Sequence, residues 1–159
     1  MSTRSSIAVL QNDGKVKSVY CHWDGNLQGV GETLLHHYNT YERANALVAL
    51  GGLSVVYENL NPLLSAPEAF PKGNVAEIIT THSFDRRQSG VTVAYHRDRG
   101  DKFEQETHSS IRRFNKNNDF QLYNYLFMGG QWYVMGKYIK GEEWVVLTPE
   151  MIEKEKINK

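Results

Sequence analysis

The feature of this sequence that most constrains its fold is a strong β-hairpin signal near the start. Residues 7–10 are apolar, and residues 16–21 alternate between two faces, so Val16, Ser18 and Tyr20 oppose Lys17, Val19 and Cys21. The Asp13-Gly14 step between them tolerates the positive φ angles of a tight turn. A second signal, Gly129-Gly130, joins the aromatic segment 120–128 to residues 131–135. The sequence therefore predicts a sheet built from antiparallel hairpins.

Helical patterns occupy three other segments. The first covers residues 32–38, and the second runs from Tyr41 to about Leu50 with Thr40 as its cap. The third starts at Pro149 with Thr148 as its cap. The predicted buried positions in the first two are Leu34, Leu35, Tyr38, Ala44, Leu47 and Val48. We expect an α+β fold, with a small antiparallel β-sheet built from hairpins and flanked by two or three short helices. A single domain over residues 1–159 is expected, with residues 145–159 as a peripheral C-terminal helix or tail.

The composition restricts the class of function. The chain has 159 residues with 18 basic and 18 acidic side chains, so its formal net charge is zero. Because coating of nucleic acid needs a large positive excess, neither DNA nor RNA is an expected partner. A single cysteine cannot form an internal disulfide, which favours a reducing compartment. No apolar run reaches the length of a signal peptide or a membrane span, so we expect a cytoplasmic protein without a membrane partner.

The segment 91–100 places polar groups at the end of a predicted strand. Residues 92–95 predict the strand, and His96, Arg97 and Arg99 follow it directly. Another predicted strand, over residues 75–80, precedes a turn-prone loop that carries Phe84 beside Asp85. Residues 53–73 hold three of the four prolines and are expected to be a long connection.

Arginines beside flat aromatic rings suit a ligand that has phosphates and a base ring. Arginine binds phosphate through paired hydrogen bonds, and an aromatic ring stacked on a base contributes about 1–3 kcal/mol. The candidate ligand-binding residues are Trp23, Asp24, Phe84, Asp85, Tyr95, His96, Arg97, Arg99, Arg112 and Arg113. Two alternatives remain: Arg97 to Arg99 as a surface ion-pair cluster, and Trp23 as a core plug with Asp24 closing a turn.

Catalytic and metal chemistry are less strongly indicated. The six histidines form no HExxH motif and there is no CxxC motif, so no metal and no cofactor are expected. Cys21 precedes His22, but neighbours on a strand point to opposite faces, so Cys21 is predicted to be a buried small residue. A carboxylate pair assembled from Asp24, Asp85 and Asp98 would leave a hydrolase open.

Several segments together resemble a known family. They are the chain start at residues 1–5, the run 19–25 with its Cys-His-Trp-Asp-Gly sequence, residues 31–38, residues 46–51, and the run 93–100 with its His-Arg-Asp-Arg-Gly sequence. In these segments the chain resembles the first type of phage Thoeris anti-defence protein. The likeness extends from residue 1 to about residue 136, and the tail beyond it is not covered.

The resemblance implies a binding protein without turnover. Such proteins are small α/β sponges that sequester, intact, the cyclic ADP-ribose isomer that bacterial Thoeris defence makes from NAD. They act in the host cytoplasm as homodimers, and some members form hexamers that also hold cyclic oligonucleotides of the CBASS defence. Their pockets are recessed at the dimer interface, which implies ligand contacts from Phe84 and Asp85 and from Arg112 or Arg113.

Two alternatives to a sponge remain open at this point. One is an enzyme that degrades a cyclic nucleotide immune signal, and the other is a protein inhibitor of the host effector that binds no small ligand. A sponge must bind a signal that is present at nanomolar concentration, which requires a binding free energy of about −12 kcal/mol. The sponge hypothesis therefore predicts an enclosed, dry, arginine-lined cavity.

Overall fold

A mixed β-sheet forms the centre of the computed structural model, which describes residues 2–62, 82–117, 121–139 and 143–157. Within these ranges the strands are β1 (Ser5–Leu10), β2 (Val16–Cys21), β3 (Leu53–Val55), β4 (Val93–Ala94), β5 (Glu106–His108), β6 (Tyr123–Met128), β7 (Gln131–Gly136) and β8 (Val145–Val146). Their order across the sheet is β4-β3-β2-β1-β6-β7-β8, and β5 pairs with β2.

Both predicted hairpins are present. β1 and β2 pair antiparallel, with Ser5 opposite Cys21 and Leu10 opposite Val16. The turn between them contains Gly14 at a φ of 86°. β6 and β7 also pair antiparallel, and both glycines of the Gly129-Gly130 turn have positive φ. Together with the helices below, these hairpins confirm the predicted α+β class.

Two pairings in the sheet are parallel, which the hairpin signals did not predict. β1 runs parallel to β6, with Ser5 opposite Tyr123, and β2 meets β3 at Cys21 and Leu53. The prediction of a structureless connection over residues 53–73 was therefore wrong for Leu53–Val55, which is buried beside β2. Parallel pairing joins strands that are distant along the chain, so no local turn signal reports it.

The predicted strand over residues 92–95 is only partly extended. β4 contains Val93 and Ala94, and helix α3 (Tyr95–Arg99) begins directly after it and ends at Gly100. The prediction of a strand that extends to residue 95 was therefore wrong, and His96, Arg97 and Arg99 lie on a helix instead of at the end of a strand. A helical turn forms because the Asp98 carboxylate accepts a hydrogen bond from the Ala94 amide at 2.8 Å. The strand predicted over residues 75–80 lies outside the described residues.

The other helices of the described ranges flank the sheet. A π-helical turn (Leu27–Gly31) continues into α1 (Glu32–His37), and α2 (Tyr41–Val48), α4 (Ile111–Asn117) and α5 (Pro149–Ile157) follow. Both predicted caps are confirmed: the Thr40 hydroxyl accepts from the Arg43 amide, and the Thr148 hydroxyl accepts from the Met151 amide, each at 3.3 Å. None of the helices in these ranges has the length and apolar character that a membrane span requires.

The main core lies between one face of the sheet and helices α1, α2 and α5. The sheet contributes alternate residues of its central strands, and the helices contribute their predicted apolar stripes; the set includes Ile7, Val9, Val19, Cys21, Tyr125, Phe127, Leu34, Leu47, Val48 and Ile152. Trp132 is buried there and donates its indole N–H to the Tyr38 carbonyl at 2.9 Å. Burial of an aromatic with its polar atom satisfied stabilises this face.

The second face of the sheet is divided. At one end Ala8, Val16 and Leu126 pack against Phe114 of α4 in a smaller apolar cluster. Further along the same face lie the side chains of Ser6, Ser18 and Tyr20, because Ser6 pairs with Tyr20 and Ala8 pairs with Ser18. This polar end forms the floor of the cavity described below.

Helix α5 is fixed to the body by Glu155 as well as by buried Ile152. The Glu155 carboxylate accepts hydrogen bonds from the Leu27 and Gln28 amides at 3.3 and 3.0 Å, and from the Tyr123 hydroxyl at 3.2 Å. Burial, and then the charge of Glu155, raise the pKa of Tyr123 to about 12. The described part of the tail is thus docked on the body through Ile152 and Glu155, while most of its other side chains are exposed.

These contacts predict the effect of removing the Glu155 carboxylate. We expect Glu155→Ala to lower the free energy of unfolding by about 1–3 kcal/mol, because it leaves amide donors at the start of the π-helical turn without their acceptor. The matched control is Glu153→Ala on the same helix, whose exposed carboxylate contacts only Lys156 among the described residues. Chemical denaturation measures both, and equal stability of the two variants would contradict the assigned role.

Candidate ligand-binding site

A cavity of about 770 Å³ opens on the polar end of the second face. Its floor is Ser6, Ser18 and Tyr20, and its walls include Trp23, Phe84, Tyr95 and Arg99. The floor is ordered by a hydrogen bond of 2.8 Å from the Ser6 hydroxyl to the Asn124 side-chain oxygen. The volume lies within the range of about 300–1,000 Å³ that is usual for small-molecule sites.

Phe84 and Tyr95 form an aromatic platform on one wall. Their rings stack with centroids 5.7 Å apart and an interplanar angle of 27°. The Arg99 guanidinium carbon lies 4.3 Å from the Phe84 centroid and 4.8 Å from the Tyr95 centroid, and that of Arg87 lies 4.6 Å from the Phe84 centroid. Cation–π attraction therefore holds both rings and Arg99 in one assembly.

The platform is positioned by the buried carboxylate of Asp98, whose side chain is 2% exposed. Asp98 accepts hydrogen bonds from the Ala94 amide at 2.8 Å and from Arg97 Nε at 2.9 Å. Its backbone carbonyl accepts from the Phe84 amide at 2.8 Å. One residue therefore fixes the helix that carries Tyr95 and the loop that carries Phe84.

His82 completes the surroundings of Asp98. Its Nδ1 accepts a hydrogen bond of 3.0 Å from the Gln88 amide, which leaves the ring proton on Nε2 in the neutral form. That Nε2 lies 3.4 Å from Asp98 Oδ2, close enough for attraction but without hydrogen-bond geometry. The imidazole is almost fully buried, so it acts as structural support for the loop.

Arg97, predicted as a ligand contact, is committed to the fold. Besides Asp98, it donates hydrogen bonds of 2.8 Å to the Leu60 carbonyl and 2.7 Å to the Thr92 carbonyl. The structure therefore favours the ion-pair alternative for Arg97. Its guanidinium joins helix α3 to two neighbouring segments rather than lining the cavity.

Arg99 does line the cavity, but it is paired with Asp101. Arg99 Nη2 lies 2.6 Å from Asp101 Oδ2, and both side chains are partly exposed. These hydrogen bonds raise the pKa of Arg99 and lower the pKa of Asp101. Because the Asp101 pKa is depressed, the pair persists above the ordinary aspartate pKa and is lost as the pH falls through the lowered value. An anionic ligand must therefore compete with Asp101 for Arg99.

Trp23 lies at a further wall and is 41% exposed. This exposure contradicts the alternative in which Trp23 plugs the core. The neighbouring Tyr20 and His22 also line the cavity, and neither was among the predicted site residues. The alternation of β2 could have identified Tyr20, since it places that ring on the face of Ser18.

The remaining predicted residues lie elsewhere. Asp24 has a positive φ of 58°, and its carbonyl accepts from the Val30 amide, as the turn alternative predicted. Asp85 and His96 are exposed; the first contributes to the raised pKa of Arg99, and the second contacts the Asp101 carbonyl. Arg112 and Arg113 are exposed on α4, and neither is among the residues that line the cavity. The structure thus brings together Trp23, Phe84, Tyr95 and Arg99, but not the four predicted arginines.

The cavity lining has no excess of positive charge. It includes two basic side chains, Arg99 and Lys102, and three acidic ones, Asp101, Glu104 and Glu106. The side chain of Arg99 is 47% exposed and that of Asp101 is 38% exposed, so the cavity of the single chain is open to water. The enclosed, dry, arginine-lined cavity expected from sequence is therefore not formed by the described residues of one chain.

The structure also bears on nucleophilic catalysis by Cys21 and on metal binding, the two other chemistries considered for the sequence. Cys21 is completely buried, and burial raises the pKa of its thiol to about 12, so the thiolate nucleophile is disfavoured. The predicted role of Cys21 as a buried small residue is confirmed. Within the described ranges, no group of three or more histidine, cysteine or acidic side chains has the arrangement of a metal site.

Comparison of the chain with protein-family models, with curated proteins and with solved structures gave no match.

The role of Asp98 predicts a large difference between two neighbouring carboxylates. We expect Asp98→Asn to lower the free energy of unfolding by about 2–3 kcal/mol, because Arg97 and the Ala94 amide lose a buried anionic acceptor. Asp101→Asn removes an equally close arginine pair at the surface, so its melting temperature should stay near that of the wild type. Thermal unfolding of both variants measures the contrast, and similar melting temperatures would remove Asp98 from its positioning role.

Proposed function

We propose that the protein binds and sequesters, without cleaving it, a cyclic ADP-ribose-type nucleotide signal of bacterial Thoeris immunity. The observation that carries the binding part is the stacked Phe84–Tyr95 platform at the wall of a 770 Å³ cavity. A nucleobase stacked on such a platform gains about 1–3 kcal/mol. The identity of the signal rests on the resemblance of residues 1 to about 136 to phage anti-defence sponges.

The rigid construction of the wall supports binding by a preformed site. Phe84 and Tyr95 are held by backbone and carboxylate contacts to Asp98, so the rings need little ordering when a ligand arrives. Preorganisation lowers the entropy cost of association and so favours tight binding. The polar floor at Ser6 and Ser18 adds hydroxyl groups that suit ribose oxygens.

The open mouth of the cavity is consistent with closure by a second copy of the chain. On the basis of the resemblance, we propose a homodimer, or a hexamer, that is encoded by a phage or prophage and acts in the host cytoplasm. Cyclic oligonucleotides are a second ligand class that the same resemblance suggests. No turnover is proposed, and an enzyme that degrades the signal is the outcome against which the proposal is tested.

Removal of the Phe84 ring tests the binding site. We expect Phe84→Ala to weaken binding of the preferred cyclic ADP-ribose isomer by about 10- to 100-fold, because the base loses its stacking surface. The control is Tyr138→Ala, which removes an aromatic ring that is 66% exposed and does not line the cavity. Isothermal titration calorimetry measures both variants, and an unchanged affinity of Phe84→Ala would exclude Phe84 from the site.

Recovery of the nucleotide tests sequestration against degradation. Each cyclic ADP-ribose isomer is incubated with the protein, the protein is then denatured by heat, and the released nucleotide is analysed by chromatography and mass spectrometry. We expect intact nucleotide in an amount equal to that bound. A degraded product formed in excess over protein would show turnover and overturn the sponge proposal.

A further inference from the structure

A second wall of the cavity rises from Tyr20 of the floor to His22. Both residues lie outside the predicted set of site residues. The Tyr20 hydroxyl oxygen and His22 Nδ1 are 2.6 Å apart, a short hydrogen bond. The imidazole also packs edge-on against Trp23, with centroids 4.7 Å apart and an interplanar angle of 87°. The orientation of His22 at the cavity is therefore fixed from two sides.

Arg4 brings a positive charge to the surroundings of Tyr20. It directly precedes β1, in which Ser6 lies opposite Tyr20, and it is not among the residues that line the cavity. Burial raises the pKa of Tyr20, and the charge of Arg4 partly opposes this shift. Arg4 is exposed and makes no hydrogen bond or ion pair with another described residue.

The other arginines near the cavity have less to offer an anion. Arg99 donates to both oxygens of Asp101 and lies against the aromatic platform. Arg97 donates to Asp98 and to two backbone carbonyls. Because hydrogen bonds to an existing acceptor must be broken before a new anion binds, His22 and Arg4 are better able than Arg97 and Arg99 to take a phosphate.

We propose that His22 forms the anion-binding wall of the cavity and takes the pyrophosphate of the ligand, while Tyr20 positions His22 and Arg4 acts from outside the cavity lining. Tyr20 donates its hydroxyl hydrogen to Nδ1, which keeps the single N–H of the neutral imidazole on Nε2 as a donor to a phosphate oxygen. Arg4 supplies the neutralising charge. This assignment rests on the proposed function, and it replaces the predicted arginines on α3 and α4 as the phosphate contacts.

The test compares charged and neutral ligands by calorimetry. The probes are the cyclic ADP-ribose isomer that the wild type binds most tightly and adenosine, which lacks the pyrophosphate. We expect His22→Gln and Arg4→Gln each to weaken binding of the cyclic nucleotide by about 10- to 100-fold, the usual effect of a lost hydrogen bond to a charged group. Binding of adenosine should change less than about twofold, since stacking on Phe84 is retained.

Arg112→Gln is the matched control, because it removes an exposed arginine on α4 that does not line the cavity and, unlike Arg4, is not among the charges that act on Tyr20. Its affinity should equal that of the wild type, and thermal unfolding confirms that each variant is folded. Wild-type affinity in both His22→Gln and Arg4→Gln, with a loss in Phe84→Ala, would overturn the anion wall and leave the proposed function standing. Failure of the wild type to bind any isomer would overturn both.

The positioning role of Tyr20 has its own readout. Nitrogen-15 NMR of the imidazole should show the Nε2–H tautomer of His22 in the free protein and a shift of Nε2 when the cyclic nucleotide is added. We expect Tyr20→Phe to change the tautomer ratio of His22 while the melting temperature stays near that of the wild type. An unchanged tautomer ratio would show that Tyr20 does not set the donor.

Discussion

Asp98 connects the loop that carries Phe84 to the helix that carries Tyr95. It accepts from the start of helix α3, pairs with Arg97, and lies beside His82, while its own carbonyl holds the Phe84 loop. A buried carboxylate is stable only when such donors surround it. The aromatic platform depends on the same residue, because the Asp98 carboxylate accepts from the Ala94 amide at the start of the helix that carries Tyr95, and the Asp98 carbonyl accepts from the Phe84 amide.

The location of the cavity follows from the different covering of the two faces of the sheet. Helices α1, α2 and α5 pack on one face over an apolar core that includes Trp132. On the other face, α4 covers only the apolar end around Phe114, and the polar end with Ser6 and Ser18 lines the cavity. A polar end of a rigid sheet face that is flanked by loops is a suitable base for a binding site.

Features that depend on neighbouring residues in the sequence were predicted correctly. The Asp13-Gly14 and Gly129-Gly130 turns, the Thr40 cap and the buried Cys21 each follow from local chemistry or alternation. Features that depend on distant partners were not. The parallel β1–β6 pairing and the burial of Asp98 arise from contacts that no local pattern contains.

The arginines illustrate the same limit for the site. The sequence contains the four candidate arginines, Arg97, Arg99, Arg112 and Arg113. It does not show that Asp98 pairs with Arg97 and Asp101 with Arg99. Nor does it show that the two arginines of α4 lie outside the cavity lining. Conversely, Tyr20 and His22 lie in the run 19–25 but were not among the candidate ligand-binding residues, and the geometry of the hairpin places them at the cavity. Of the predicted set, the aromatic residues were located better than the charged ones.

A crystal structure of the protein with a cyclic ADP-ribose isomer bound tests the account most directly. The account predicts electron density for an intact nucleotide in the cavity on the second face of the sheet, with the base stacked on the platform of Phe84 and Tyr95. Density for the nucleotide at another surface, with this cavity empty, would contradict it.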